Sequence, residues 1–547
     1  MMDATALNTA AVERETAAAP QVKNAAPGVA NHTYWQKPAT DLAQQQAYLR
    51  DILLSPVYQL AVETPLQAMP KLSQRLGHQV LLKREDLQPV YSFKLRGAFH
   101  KLCKVKEQSP SAAVICASAG NHAQGVAMSA RKLGLKATIV MPITTPEIKV
   151  NAVKALGGKV LLHGTAFDEA NRHAIALAAE QGAIYIPPFD DPDVVAGQGT
   201  VAKELLSQHN KLDAVFVPVG GGGLVAGMAL YIKAVMPGVK VIGVEPDDAA
   251  CLKAALEAGA PVTLDRVGLF ADGVAVKRIG NETFKLAQQY CDDVITVTSD
   301  EICAAIKDIF DDLRAVAEPA GALSLAGLKK YAASADHSQQ LSAVLSGANL
   351  NFDTLRYVSE RCELGEKKEA VFAVTIPEQK GSFRRFCQTI GGRAITEFNY
   401  RYASDHKAHI FVGIKLRHGA EELAQVTQAL ADAGYEFQDL SDDELAKLHV
   451  RHMVGGMPPR LVQEQLYQFN FPEYPGALMN FLTTLGDECN ITLFHYRNHG
   501  AATGDVLAGF EIADHSEIAE HLDQLGYEYR LVTSNGAYRA FLRVEAV

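Results

Sequence analysis

Two hydrophobic rhythms alternate between about Tyr48 and Glu360. Short runs rich in β-branched residues, such as Ala113–Cys116, Ala137–Met141, Ala214–Val219 and Val239–Val244, read as strands. Stretches with a helical period, such as Leu224–Val235, separate them. This alternation predicts an α/β region on mostly parallel sheets. Glu363–Lys368 reads as a short charged linker, and beyond it the pattern changes character.

The last stretch of about 180 residues repeats itself. Phe372-Ala-Val-Thr-Ile-Pro377-Glu378, continuing to Gly381, aligns with Tyr467-Gln-Phe-Asn-Phe-Pro472-Glu473, continuing to Gly476. Ile395–Arg401 (ITEFNYR) aligns with Ile491–Arg497 (ITLFHYR) after one inserted residue, and Gly434-Tyr435 echoes Gly526-Tyr527. Each unit reads strand, helix, strand, strand, helix, strand, which is the ferredoxin-like pattern. Similarity of this length is not an accident of periodicity. Phe398 and Tyr400 lie two residues apart on one strand, as do Phe494 and Tyr496, so each pair shares a face that is either core or pocket.

Composition narrows the function classes. A chain of 547 residues that is 48% hydrophobic and 21% charged reads as soluble globular protein, too long for one core. A formal net charge of −10 argues against nucleic acid or an anionic membrane as the main partner, since both reward basic patches. The eight cysteines are scattered with no CxxC pair, so they read as reduced thiols of a cytoplasmic protein rather than zinc ligands or a disulfide framework. No apolar run reaches the roughly 20 residues needed to span a bilayer. Residues 1–46 are rich in Ala, Asn, Gln and Thr and read as a disordered tail, with Tyr34 and Trp35 as the residues in it suited to docking. Its acidic residues speak against a transit peptide.

Four places in the α/β region suit chemistry. Lys94 stands in Ser92-Phe-Lys-Leu-Arg-Gly-Ala98, where partial burial beside Phe93 and Leu95 favours the uncharged amine that a nucleophile needs. Ser118-Ala119-Gly120-Asn121-His122-Ala-Gln-Gly125 follows a strand and opens a helix, so small residues let backbone amides converge on an anion while Asn121 offers an amide. Gly220-Gly221-Gly222-Gly223-Leu224 joins a strand to a helix with every Cβ removed from the turn, which suits a phosphate at a helix N-terminus. It is neither GxGxxG nor a Walker loop. Ser346, in Leu345-Ser-Gly-Ala-Asn349, offers a hydroxyl after a strand. Taken singly, each has an ordinary alternative: a solvated lysine, an N-cap, a tight turn, a serine beside a glycine.

Taken together and in order, SFKLRGA, SAGNHAQG, VPVGGGGL, Glu318-Pro-Ala-Gly-Ala322 and LSGAN resemble the fold type II pyridoxal-phosphate enzymes, specifically the serine/threonine dehydratases, from Tyr48 to about Asn351. The resemblance implies a catalytic domain of two α/β subdomains over residues 47–362. It implies that Lys94 bonds pyridoxal 5′-phosphate and serves as the base at the substrate Cα. It further implies that Asn121 bonds the cofactor's phenolic oxygen, Gly220, Gly221, Gly222, Gly223 and Leu224 hold its phosphate, and Ser346 faces its ring nitrogen. The loop Ser118, Ala119, Gly120 and Asn121 is implied to hold the substrate carboxylate. The implied reaction turns L-threonine, or L-serine, into a 2-oxo acid and ammonia. A serine in place of an acidic ring partner leaves the ring nitrogen unprotonated and favours elimination over transamination.

The repeats, over 368–441 and 464–536, resemble the paired ACT-like regulatory domains of biosynthetic threonine deaminases, which commit threonine to isoleucine synthesis. That resemblance implies a homotetramer, isoleucine and valine as effectors, and Tyr400 and Tyr496 lining two non-equivalent sites; oligomerisation alone is the competing role. Related racemases and dehydratases hold a divalent metal on an acidic pair after the glycine loop. Here Glu245 matches the first member but Cys251 stands where the second would be, so no metal is expected. Glu318 receives no definite role, and His122 reads as structural. A non-enzymatic amino-acid sensor would explain the repeats but not the lysine and anion loop, whereas a β-replacement enzyme of the cysteine synthase kind would share the catalytic motifs.

Overall fold

A six-stranded sheet forms the larger half of the catalytic region, in the order Leu66–Ala68, Gln79–Arg84, Gln340–Leu345, Ala214–Pro218, Lys240–Pro246, Asp293–Val297. Only its first strand is antiparallel to its neighbour. A second sheet, wholly parallel, runs Lys159–Leu162, Lys136–Met141, Ala113–Ala117, Ile184–Tyr185. Helices cover both faces of the larger sheet, so its strands are apolar on both sides, as the β-branched runs require. The computed structural model describes residues 35–541 apart from 336, 366–367, 378–381, 392, 394, 403–406, 444, 447–448, 450–463, 473–479, 482–483, 486–490, 498–502, 511 and 513–517. Side chains of 394–402 and 491–497 also lie outside the described residues.

The expected tail through residue 46 is corrected from Trp35 onward. Trp35 is buried and donates its indole N–H to the Gln288 carbonyl at 2.8 Å. Asp41 then caps the helix Leu42–Leu53 by accepting from the amides of Ala43 and Gln44, and Tyr48 and Ile52 of that helix join the larger sheet's core. Burying such a side chain contributes about 2–3 kcal/mol, enough to fasten a segment whose average composition is polar. Residues 1–34 lie outside the described residues.

The linker expected at Glu363–Lys368 is also corrected. The helix Thr354–Gly365 runs through its first half, and Tyr357, Val358 and Cys362 are buried in the catalytic core. The first repeat begins at once with strand Glu369–Pro377.

Each repeat folds as an antiparallel four-stranded sheet. The first is ordered Ile395–Tyr402, Lys407–Lys415, Glu369–Pro377, Glu436–Asp439, and the second Ile491–Arg497, Thr503–Phe510, Gln465–Pro472, Glu528–Leu531. Their equivalence reaches to a shared irregularity: the register shifts between Ile395 and Glu397 in one and between Ile491 and Leu493 in the other. Alternation along each strand serves two cores. In the first repeat Ala370, Phe372, Val374 and Ile376 pack with its own helices, while Val371 and Ala373 face the second repeat's Leu466 and Leu507 in a common core closed by Tyr538.

Candidate active site

Lys94 is the first residue of the helix Lys94–Gln108, and its position is fixed from both sides in sequence. Upstream, Tyr91 adopts φ 55°, a left-handed turn that costs a non-glycine residue about 1–2 kcal/mol. The turn is held because the Ala348 amide donates to the Tyr91 carbonyl at 2.9 Å and the Phe93 amide to the Ser346 carbonyl at 3.2 Å. The LSGAN segment is thereby laced to the segment bearing Lys94.

Downstream, Arg96 is fully buried and donates to Glu85 at 2.7 Å and to Glu204 at 2.6 Å, while Lys83 donates to Glu204 at 2.6 Å. A buried ionic network of this kind adds little net stability, but removing one partner strands a charge, so it specifies geometry beneath the helix start.

The Lys94 side chain enters the cleft between the sheets, where its amine donates to the Gly273 carbonyl at 3.3 Å. Burial of the amine pushes its pKa down, against opposing attraction from Glu318 and Asp272. The neutral, nucleophilic form is favoured accordingly.

Asn121 opens the helix Asn121–Leu133. Its Nδ2 donates to Glu318 Oε1 at 2.7 Å, and its Oδ1 accepts from Asn349 Nδ2 at 2.7 Å. A Cβ on Gly125 would sit 3.2 Å from the Lys94 carbonyl, so the glycine in SAGNHAQG lets this helix press against the start of the lysine's helix. In the preceding loop Ser118 Oγ accepts from the Gly120 amide at 3.2 Å, so Ser118, Ala119 and Gly120 turn the chain toward the cleft. His122 meets the Ile186 carbonyl at 3.1 Å through Nε2, which must then carry the proton, and burial holds its pKa down at about 4. It stays neutral and structural.

The glycine loop leads into the helix Gly223–Val235, whose leading amides receive no side-chain cap. Gly222 has φ 92°, and a Cβ on Gly221 would lie 2.1 Å from the Phe189 ring. Thr283 Oγ1 donates to the Gly221 carbonyl at 2.7 Å and steadies the loop from behind. The uncapped amides of Gly223 and Leu224 at a helix N-terminus form an anion cradle suited to a phosphate. Ser346 is buried and donates to the Ala320 carbonyl at 3.2 Å.

The segment Asp272–Val274, which carries no motif, joins these parts. Gly273 receives the Lys94 amine, Val274 abuts Gly220, and Asp272 pairs with Lys149 at 2.7 Å. Glu318 is equally central: burial and nearby Asp272 raise its pKa to about 7, against the donor Asn121 and the charge of Lys94. Sequence reasoning passed over Asp272, Gly273 and Lys149 because only folding gives them meaning, whereas Asn349 stood inside a quoted motif.

Glu245 accepts the Leu252 and Lys253 amides at 2.7 and 2.9 Å, and so caps the helix Cys251–Ala258. The Cys251 thiol donates to the Gly220 carbonyl at 3.3 Å, and burial pushes its pKa up. Both have structural work.

Residues 57–347 match a family model described as pyridoxal-phosphate dependent enzyme. Residues 360–450 and 459–542 match the C-terminal regulatory domain of threonine dehydratase. The chain is 60% identical to the biosynthetic L-threonine dehydratase of Escherichia coli (strain K12), over 92% of its own length and 99% of that protein. The chain belongs to the threonine dehydratase family. It is also 47% identical to the chloroplastic biosynthetic threonine dehydratase of Arabidopsis thaliana, over 92% of this chain and 85% of that one. The processed form of threonine deaminase isoform 2 from Solanum lycopersicum superposes with a TM-score of 0.59 at 47% identity, covering 60% of this chain and 95% of that chain. As a member of this family the chain is a pyridoxal-phosphate-dependent lyase with a fold type II catalytic region and a regulatory pair of α+β repeats. Among the described residues no helix is long and apolar enough to cross a membrane.

Tyr400 and Tyr496 occupy matching register positions, opposite Ile410 and Val506. Their side chains lie outside the described residues.

Proposed function

We propose that this chain dehydrates and deaminates L-threonine, and L-serine by the same chemistry, and that its regulatory pair reads isoleucine and valine. The observation that carries the catalytic half is the buried Lys94 amine, poised toward its neutral form between Gly273, Asn121 and the uncapped glycine loop.

These residues fit pyridoxal 5′-phosphate: the amides of Gly220–Leu224 would hold the phosphate, Asn121 the phenolic oxygen, and Ser346 the ring nitrogen. When bound, the cofactor supplies an electron sink for the substrate's Cα. Lys94 would anchor it, and the Lys94 amine, when free, would accept the Cα proton. Ser118, Ala119, Gly120 and Asn121 orient the substrate carboxylate by backbone amides. The Ser346 hydroxyl, unlike a carboxylate, imposes no charge on the ring nitrogen, which suits loss of the β-hydroxyl over transamination. The product enamine hydrolyses to 2-oxobutanoate, or pyruvate from serine, and ammonia. One methyl group separates the two substrates, worth about 1–3 kcal/mol in a pocket, so both are turned over.

Contact between the halves supports regulation. A crevice of about 970 Å³ is lined by Asp272, Glu318 and Asn349 of the site and by Glu369, Asp439 and Asp505 of the repeats. The helix Thr354–Gly365 leads into the first repeat and packs Tyr357 at a tilt against Phe270, ring centroids 4.8 Å apart, two residues before Asp272. Tyr400 and Tyr496 line one effector site in each repeat. The exposed apolar Leu53, Leu54, Tyr58 and Val62 offer a contact surface on the catalytic region for the proposed homotetramer, whose size sedimentation measures.

The deciding experiment is release of 2-oxobutanoate from threonine with no added nucleophile, with isoleucine and valine titrated in. A β-replacement enzyme would need a nucleophile, and a sensor would show no turnover.

A further inference from the structure

The two catalytic sheets meet at a cleft, and among the described residues three polar side-chain links cross it beside Lys94. Two are the bonds of Asn121, from the smaller side, to Glu318 and Asn349 of the larger side. The third is ionic and lies at the rim. Lys149, on the helix Glu147–Ala155 of the smaller side, meets Asp272 Oδ2 at 2.7 Å, with side chains 20% and 49% exposed. Burial works against the Lys149 charge, but attraction and a hydrogen bond from Asp272, together with Glu318, outweigh it.

Asp272 is a significant place for that grip. The next residue, Gly273, presents the carbonyl that receives the Lys94 amine, and Val274 buttresses Gly220 of the glycine loop. Whatever moves Asp272 therefore moves a hydrogen-bond partner of the reactive amine. Among the described residues lining the crevice at this rim, Lys149 is the one basic side chain, set among Asp247, Asp248, Asp300 and Glu318.

We propose that Lys149 is a positioning residue, the movable half of a latch with Asp272. The pair closes the smaller side over the larger and fixes the Gly273 carbonyl against Lys94; it separates to admit the amino acid. The proposal rests on Lys94 being the cofactor-bearing base. Because an ion pair open to solvent on its Asp272 side adds little to global stability, losing it leaves the fold standing and changes mainly how long the cleft stays shut.

The test uses the full-length holoenzyme and its variants Lys149→Met, Lys149→Arg, Asp272→Asn, and the double variant Lys149→Met with Asp272→Asn. The two single removals are expected to keep the visible absorption of the bound cofactor and to lower kcat/KM for threonine by about 2- to 5-fold, mostly through KM, the range an exposed pair supplies. The double variant should be no worse than the worse single, because both remove one interaction. Added salt should lower kcat/KM of the parent but not of Lys149→Met. Amide hydrogen exchange along Glu147–Ala155 should quicken in both removals and return to the parent's rate in Lys149→Arg. Additive losses, an unchanged kcat/KM in Lys149→Met, or salt dependence persisting in that variant would each overturn the latch. The Lys94 assignment fails by a separate observation, retention of the cofactor absorption in Lys94→Ala.

Discussion

The catalytic region and the regulatory pair store their function differently. In the catalytic region the parts are backbone features: a lysine at the first turn of a helix, amides at two helix N-termini, and a loop stripped of side chains. Such features need contiguous residues, so each is visible as a short motif. In the regulatory pair, by contrast, two sheets of one topology repeat down to a shared register shift, and the aligned ITEFNYR and ITLFHYR segments suit core as well as pocket. Repetition there reports architecture before chemistry.

The largest effect that tests this contrast is Lys94→Ala. It should remove the cofactor's visible absorption and lower threonine turnover by at least about 10³-fold, since anchor and base vanish together; retained steady-state deamination would end the assignment. Next is a chain ending at Gly365, cut after the helix that completes the catalytic core rather than inside it. It should keep absorption and turnover but lose isoleucine inhibition. Inhibition that persists would put the effector site in the catalytic region.

Smaller shifts are expected within the pair. Tyr400→Leu and Tyr496→Leu should each weaken isoleucine feedback, by unequal amounts, with effector-free turnover nearly unchanged; parent-like isoleucine titrations in both would make these tyrosines core residues.

The smallest concerns stability alone. Glu422 caps a helix of the first repeat by accepting the Arg417 and His418 amides at 2.5 and 3.1 Å, and it also pairs with Arg393 at 2.7 Å. Those amides, with Arg393, hold its pKa near 2, below the ordinary 4.5. A carboxyl so lowered stabilises fully above about 4.5 and loses that contribution as pH falls toward about 2. Glu422→Gln should flatten this part of the stability profile in acid denaturation, and an unchanged slope would show the cap to be inert.

What was legible follows the same division. Strand runs at Ala113, Ala137, Ala214 and Val239 announced the parallel sheets because burial on both faces demands them. The repeat announced two ferredoxin-like units. Trp35 stood out as suited to docking, and it docks; the helix that follows it was hidden, since one aromatic anchor scarcely alters the composition of a polar segment. Asp272 and Lys149 were hidden for another reason: they are far apart in sequence, and their pairing exists only once two sheets close on each other. Arg96 sat inside a quoted motif, yet its partners Glu85 and Glu204 gave no sign of converging on it.

The core shared by the two repeats has a consequence for how such a pair can arise. Val371 and Phe411 on one sheet meet Leu466 and Leu507 on the other, so each sheet lends its second face to its twin. A solitary repeat would present that face to water and would need another copy to cover it. Joining two copies in one chain replaces that encounter with a tether, whose effective concentration reaches the order of millimolar even for a short flexible linker. The partner is then always at hand, and the two halves, no longer bound by symmetry to carry identical residues, are free to acquire different ligands.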